Sequence, residues 1–164
     1  PAVRKEICNG FVKIISEKYP DADIIAGVAT GAIAHGALVA DRLNKPFVYV
    51  RSSPKSHGLN NQVEGECWQN AKVVVVEDLV STGGSSLCAV EALRENGCDV
   101  LGMVAIFTYE FPTAKENFAA ADVRLDTLSN YSTMIELAVQ QGYVHADELQ
   151  TLQEWRRDPA NWKR

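Results

Sequence analysis

Four consecutive valines, Val73, Val74, Val75 and Val76, most constrain what this chain can fold into. A strand wet on one face alternates apolar and polar side chains, whereas a strand that does not alternate is covered on both faces. Coverage on both faces calls for a parallel sheet with helices above and below it. The remaining chain supplies the parts. Residues 2–18 carry Val3, Ile7, Phe11, Ile14 and Ile15 on one helical stripe. Residues 23–28, 46–50, 100–107 and 123–128 read as further strands, and residues 32–43, 84–96 and 113–121 as helices, with Gly97 closing the second of these. Thr133-Met134-Ile135-Glu136 fits a capping box opening a helix to about Gln141, and residues 147–157 form a last helix. Residues 51–66 show no apolar period and contain Pro54, Gly58 and Gly65; so long a loop in a compact domain is often functional. At 164 residues, the expectation is one α/β domain over residues 1–164 with a helical tail at 145–164.

Composition removes several function classes. Sixteen Lys and Arg against 21 Asp and Glu give a formal net charge of −5, which argues against a general nucleic-acid-binding surface. Cys8, Cys67, Cys88 and Cys98 are scattered without a Cys-x-x-Cys pair, against both a zinc site and a disulfide scaffold and in keeping with a reduced, cytoplasmic setting. The apolar run over residues 24–40 holds Gly27, Gly31, Gly36 and His35 and is a poor membrane span, so no membrane role is expected. No charged and then apolar leader opens the chain, and the sequon Asn130-Tyr131-Ser132 is a chance match in such a setting. Gly31 and Gly36 have P-loop spacing, but Ala37-Leu38 follow where Lys and Ser or Thr are needed. There is no Gly-x-Gly-x-x-Gly either.

The strand of valines runs into Glu77-Asp78 and then turns through Ser81, Thr82, Gly83, Gly84 and Ser85 into a helix. Ligands of open α/β sheets bind beyond the carboxyl ends of the strands. Two carboxylates there can accept hydrogen bonds from vicinal sugar hydroxyls. The turn supplies bare amides, hydroxyls and the positive end of a helix dipole, the parts of a phosphate cradle. Together they suit a ribose phosphate. Read singly, the acids end a strand and Ser81 or Thr82 caps a helix; the combined pattern is the specific signal. The loop from Arg51 adds Lys55 and His57 among small residues. It reads either as a solvated loop or as a cationic lid over phosphates, with Arg as a fork, Lys as a point charge and His as a donor. Gly58 and Gly65 would hinge such a lid.

Residues 73–85 closely resemble the phosphoribosyl pyrophosphate (PRPP) signature of the type I phosphoribosyltransferases: hydrophobics, two acids, then a hydroxyl- and glycine-rich loop. The resemblance implies that family's fold, a parallel Rossmann-like sheet with helices on both faces, and a PRPP-dependent transferase. In the family the acidic pair binds the ribose 2′- and 3′-hydroxyls, matched here by Glu77 and Asp78. The following loop holds the 5′-phosphate, matched by Ser81, Thr82, Gly83, Gly84 and Ser85, with Leu79 and Val80 completing the binding segment. Arg51, Lys55, His57 and Gly58 fit the Arg-x-x-x-Lys-x-His-Gly catalytic loop of the orotate phosphoribosyltransferases; a second Lys common after the Arg is Ser52 here. Lys55, His57 and Asp78 are thereby implied as catalytic, with Arg51 as a further PRPP ligand. Residues 27–31 resemble the pyrophosphate-binding loop, with Ala29, Thr30 and Gly31 facing the diphosphate and no Lys in the turn.

The implied reaction joins PRPP and orotate to give orotidine 5′-monophosphate and pyrophosphate, with Mg²⁺ held mainly by PRPP and not by protein side chains alone. Because the family's catalytic loop reaches into a neighbouring subunit, a homodimer with shared sites is implied. Ser81 stands where a loop residue of the family also touches orotate. Members with an Arg near the end of the strand at 100–107 use it on orotate; Thr108-Tyr109 stand here, so base recognition differs in detail. The family normally carries a segment before the first helix that hoods the base and contributes a Lys; none of it is among these residues, so a chain without its hood is expected. Two other readings stay open. One is a transferase for another base, against which the loop at 51–58 argues. The other is a non-catalytic PRPP or nucleotide sensor, which would have less need of Lys55 and His57. His35 reads as a core or interface histidine, His145 as a solvated cap, Trp68 as packing, and the tail with Trp155, Arg156 and Arg157 as an amphipathic packing helix.

Overall fold

The first helix, α1 (Ala2–Lys18), buries Phe11 and Ile15 from its predicted stripe together with Cys8, while Val3 at the start of that stripe is exposed. The computed structural model describes residues 1–51 and 62–162. After α1 come β1 (Ile24–Val28), α2 (Gly31–Leu43), β2 (Phe47–Val50), β3 (Val63–Glu64), β4 (Lys72–Val80), α3 (Gly84–Glu95), β5 (Asp99–Thr108), α4 (Pro112–Ala120), β6 (Leu125–Asn130), α5 (Tyr131–Gln140) and α6 (Leu149–Arg157). The six strands form one sheet in the order β3-β2-β1-β4-β5-β6. All neighbours are parallel except β2 and β3. The mainly parallel sheet expected from the valines, and the Rossmann-like arrangement implied by the resemblance, are present, with a short antiparallel edge added.

Val73 to Val76 are fully buried at the centre of that sheet, between β1 and β5. From this centre the chain winds in two directions. The crossover from β1 to β2 carries α2 to one side, and that from β4 to β5 carries α3 to the other. Right-handed crossovers of opposite direction place their helices on opposite faces. Helix α1 shares the α2 face, packing on α2, β5 and β6, and α4 packs beside α3.

The elements differ from expectation in four places. β4 does not end at the acids but runs through them to Val80, because β5 continues alongside and pairs Glu77 with Ala105 and Val80 with Thr108. The loop expected over 51–66 contains β3, whose two residues pair with Tyr49 and Val50. β6 lies two residues later than predicted and leads straight into α5, so the cap is Asn130, whose side chain accepts from the Thr133 amide at 2.9 Å. The capping box expected at Thr133 is displaced by this earlier cap. The last helix begins with a 3₁₀ turn, Ala146–Glu148, that His145 opens as an exposed cap, as read from sequence.

Half-buried His35 lies 6.4 Å from the Phe11 ring, in keeping with a packing role. Trp68, by contrast, is 46 % exposed. The tail does more than pack. Trp155 sits among Tyr109, Phe111 and Tyr131. Arg156 reaches Glu110 at 3.2 Å and the Ser132 hydroxyl at 3.2 Å, and Glu110 also accepts from the Ser132 amide and hydroxyl. The tail thus clamps the segment that follows β5.

At the C-terminal end of α1, Asp126 of β6 accepts from Lys18, from the Tyr19 hydroxyl at 2.7 Å, and pairs with Arg124 at 3.1 Å. Burial opposes the carboxylate's charge, but Lys18, Tyr19 and Arg124 outweigh it and hold its pKa below the ordinary aspartate value. A depressed carboxyl pKa stabilises the fold above the unfolded-state value and loses that contribution as pH falls. Asp126→Asn is expected to cost about 2 kcal/mol at neutral pH, the scale of a charged hydrogen bond. The difference from the parent chain should shrink as pH falls below 3.8 in urea-unfolding midpoints. A penalty unchanged by acid would contradict this account.

Candidate active site

Helices α2 and α3 start from adjacent strands, β1 and β4, and lead away in opposite directions. A crevice at such a topological switch point is where open α/β sheets bind ligands. Here it is a cavity of about 170 Å³ lined by Val28, Ala29, Thr30, Gly31, Arg51, Glu77, Asp78, Leu79, Ser85 and Ala89. Three segments singled out from sequence thus meet: the turn at 29–31, Arg51, and the acids with Ser85. Lys55 and His57 lie outside the described residues, as does Ser52.

Alternation along β4 sends the two acids to opposite faces. Glu77 turns toward α3 and is 4 % exposed. Its Oε2 accepts from the Ser86 hydroxyl at 2.9 Å and its Oε1 from the Asp78 amide at 2.9 Å. Burial first, and the neighbouring Asp78 side chain next, push its pKa up to about 7 against the opposing pull of the Asp78 amide and Ser86. Asp78 turns toward α2. Its Oδ1 accepts from the Leu79 amide at 2.8 Å. Its Oδ2 lies so near Gly31 that a Cβ built there would stand 1.8 Å from it. Only glycine at 31 lets the turn approach this carboxylate. Both acids line the crevice, but they are not an equivalent pair: Glu77 is buried and held by Ser86, whereas Asp78 is the more open of the two.

Both helices present open N-termini. Gly83, at φ +84°, stands at the N-cap of α3 and has no side chain to offer its first-turn amides. Thr30 precedes α2 without a side-chain cap bond, after a cis Ala29–Thr30 peptide. Uncapped first-turn amides and the helix dipole favour anions. Ser81, Thr82, Gly84 and Ser85 are exposed around the α3 terminus. Leu79 lines the crevice and is 43 % exposed. Val80 is buried and offers only its carbonyl, which accepts from the Tyr109 amide. Arg51 borders the crevice and lies 3.6 Å from Glu64 of β3. Among the described residues, no three His, Cys, Asp or Glu side chains gather in a metal-binding group, and no helix is long and apolar enough to cross a membrane.

Sequence reasoning missed Ser86, the partner of Glu77. The signal was present: Ser86 occupies the buried stripe of α3 with Ala89, Val90 and Leu93, a hydroxyl where an apolar residue would serve packing. It also missed Ala89 as a lining residue, and Glu110 with its partners.

An acid whose folded pKa exceeds its unfolded value makes the fold less stable as pH rises between the two. For Glu77 that interval runs from about 4.5 to about 7. Glu77→Gln keeps both hydrogen bonds, since the Ser86 hydroxyl can accept as well as donate. It should gain stability relative to the parent chain between pH 5 and pH 8, read as urea midpoints. Parallel pH profiles for the two chains would overturn the assignment.

A family model described as "Phosphoribosyl transferase domain" matches residues 3–143. The chain is 57 % identical over 162 residues to an orotate phosphoribosyltransferase of Porphyromonas gingivalis, covering 99 % of this chain and 77 % of that protein. It is 53 % identical over 163 residues to the protein of that name from Streptococcus thermophilus, covering 99 % of this chain and 78 % of the relative. Among solved structures, orotate phosphoribosyltransferase from Aeropyrum pernix superposes with a TM-score of 0.75 at 31 % identity, over 85 % of this chain and 76 % of that one. UMP synthase of Leishmania donovani shares the fold, with a TM-score of 0.80 at 21 % identity over 95 % of this chain and 33 % of that one. The chain belongs to the phosphoribosyltransferase family and, within it, to the orotate phosphoribosyltransferases.

Proposed function

We infer that this chain transfers the phosphoribosyl group of PRPP to orotate, giving orotidine 5′-monophosphate and pyrophosphate, a step of pyrimidine synthesis. The observation that carries the site assignment is the convergence of two uncapped helix N-termini on one crevice with Asp78 between them. PRPP has the same sequence of parts: a diphosphate on C1, a diol, and a phosphate on C5. The turn at Ala29, Thr30 and Gly31 suits the diphosphate. The turn at Ser81, Thr82, Gly83, Gly84 and Ser85 suits the 5′-phosphate, and Asp78 suits the ribose hydroxyls. Orotate as acceptor rests on the relatives of 53–57 % identity.

In the reaction the C1–O bond to pyrophosphate breaks as the orotate nitrogen attacks, and positive charge grows on the ribose ring. Asp78, held beside Gly31, opposes that charge without moving, which is how a preorganised site lowers a barrier. Glu77, buried and hydrogen-bonded to Ser86, holds the strand end that carries Asp78 and completes the acidic pair. Arg51, with Lys55 and His57, neutralises the leaving pyrophosphate, and closure of their loop keeps water from a reactive cation. Ser81 is assigned to orotate on its position in the loop, where the family's residue also touches the base. Mg²⁺ suits these oxygens as a hard cation. Among the described residues Glu77 and Asp78 are the carboxylates lining the crevice, so Mg²⁺ would draw its ligands mainly from PRPP, and it would supply charge neutralisation for the diphosphate. The chain acts as a homodimer in the cytoplasm, each catalytic loop serving the neighbouring site.

Mixing the full-length protein with PRPP, Mg²⁺ and orotate should consume orotate absorbance, and chelation of Mg²⁺ should abolish the loss. Turnover of adenine in its place would overturn the base assignment. Lys55→Ala and His57→Ala should each lower kcat by at least about a hundredfold, the scale of a lost transition-state contact, with PRPP still bound. Wild-type rates in both would remove them from the chemistry. Mixed Lys55→Ala and Asp78→Ala subunits should recover part of the activity each lacks alone; no recovery would count against shared sites.

A further inference from the structure

Helix α4 packs against the turn at 81–85 and contributes none of the residues that line the crevice, and nothing in the chemistry above uses it. Its contacts with that turn are specific. The Asn117 side-chain amide donates to the Thr82 carbonyl at 2.9 Å. One residue on, the buried Phe118 ring presses against Gly83, where a built Cβ would stand 2.7 Å from Cε2 of the ring. We propose that Asn117 is a positioning residue for phosphoryl-group binding: by pinning the Thr82 carbonyl toward α4 it orients the Gly83 N–H toward the ligand.

The argument is the geometry of one peptide plane. In a trans peptide the C=O of one residue and the N–H of the next point in opposite directions. The Thr82–Gly83 peptide is trans. Its carbonyl is drawn to Asn117, so its N–H faces away from α4. A glycine turn at φ +84° has easy alternatives, because nothing in its own covalent structure prevents the plane from flipping. Flipped, the carbonyl would face the anion and repel it. Asn117 opposes the flip with a donor, and Phe118 fills the space behind Gly83 so that the turn cannot retreat. Asn117 itself is placed by α4, which starts at Pro112 immediately after the clamped segment at Glu110.

This inference rests on the reading of the turn at 81–85 as the 5′-phosphate cradle, and the test separates the two. Binding of ribose 5-phosphate and of inorganic pyrophosphate is measured by calorimetry on the 164-residue chain and on Asn117→Leu, Asn117→Ala and Asn117→Gln, each checked for its thermal midpoint. Leu keeps the size of Asn without its donor, and Gln keeps a donor. Asn117→Leu and Asn117→Ala should weaken ribose 5-phosphate binding roughly fivefold to tenfold, the range of one neutral hydrogen bond, and leave pyrophosphate binding within about twofold. Asn117→Gln should recover part of the loss. Equal weakening of both ligands would mean that Asn117 merely supports the fold, and unchanged binding of both would mean that the plane holds itself; either overturns the proposal. A parent chain that binds pyrophosphate but not ribose 5-phosphate would overturn the cradle itself, and this inference with it.

Discussion

The crevice depends on the burial of β4 on both of its faces. Each buried valine contributes roughly 1.5 kcal/mol or more, and the four together leave the strand no freedom to slide between β1 and β5. A one-residue slip would exchange the faces of every side chain beyond it. Glu77 would then face α2 and Asp78 would enter the apolar layer under α3. The register that protects the valines is thus the same register that sets Asp78, the more open acid, in the crevice.

That coupling explains why two adjacent carboxylates behave so differently. They share a strand end and a sequence context, yet the pleat gives them different surroundings. Glu77 finds a hydroxyl on α3 and an amide of its own strand, and burial makes its charge costly. Asp78 finds a glycine turn and open space. Gly31 lets the β1 turn come close to Asp78, and Gly83 separately lets the other turn fold over Phe118.

Much of this was legible in the sequence because it rests on local signals. The unalternating valines announced a doubly covered strand, and the run from Glu77 to Ser85 carried its own chemistry. Elements whose ends depend on a neighbour were less legible. β4 extends past the acids only because β5 lies alongside, and β3 exists only because β2 offers an edge for Val63 and Glu64. The start of α5 was missed since two capping signals stood three residues apart, and the strand leading into Asn130 decided between them. Contacts between distant segments left the faintest trace. Ser86 was detectable as a polar residue on an apolar stripe, but nothing local to Asn117, Glu110 or Arg156 named their partners.

The clamp between the tail and the segment after β5 bears on the order in which the molecule is made. Glu110 meets Ser132 and Arg156, which lie 22 and 46 residues further along the chain. The central strands need only neighbours already present when β5 emerges from the ribosome. The segment leading into α4 cannot reach its final form until the last helix has been synthesised and has folded back. Long-range closures of this kind are slow and come late, since loop entropy must be overcome before the contacts form. The scaffold of the crevice is therefore available before its flank, and a nascent chain halted ahead of Arg156 would hold a formed sheet beside an unclamped edge.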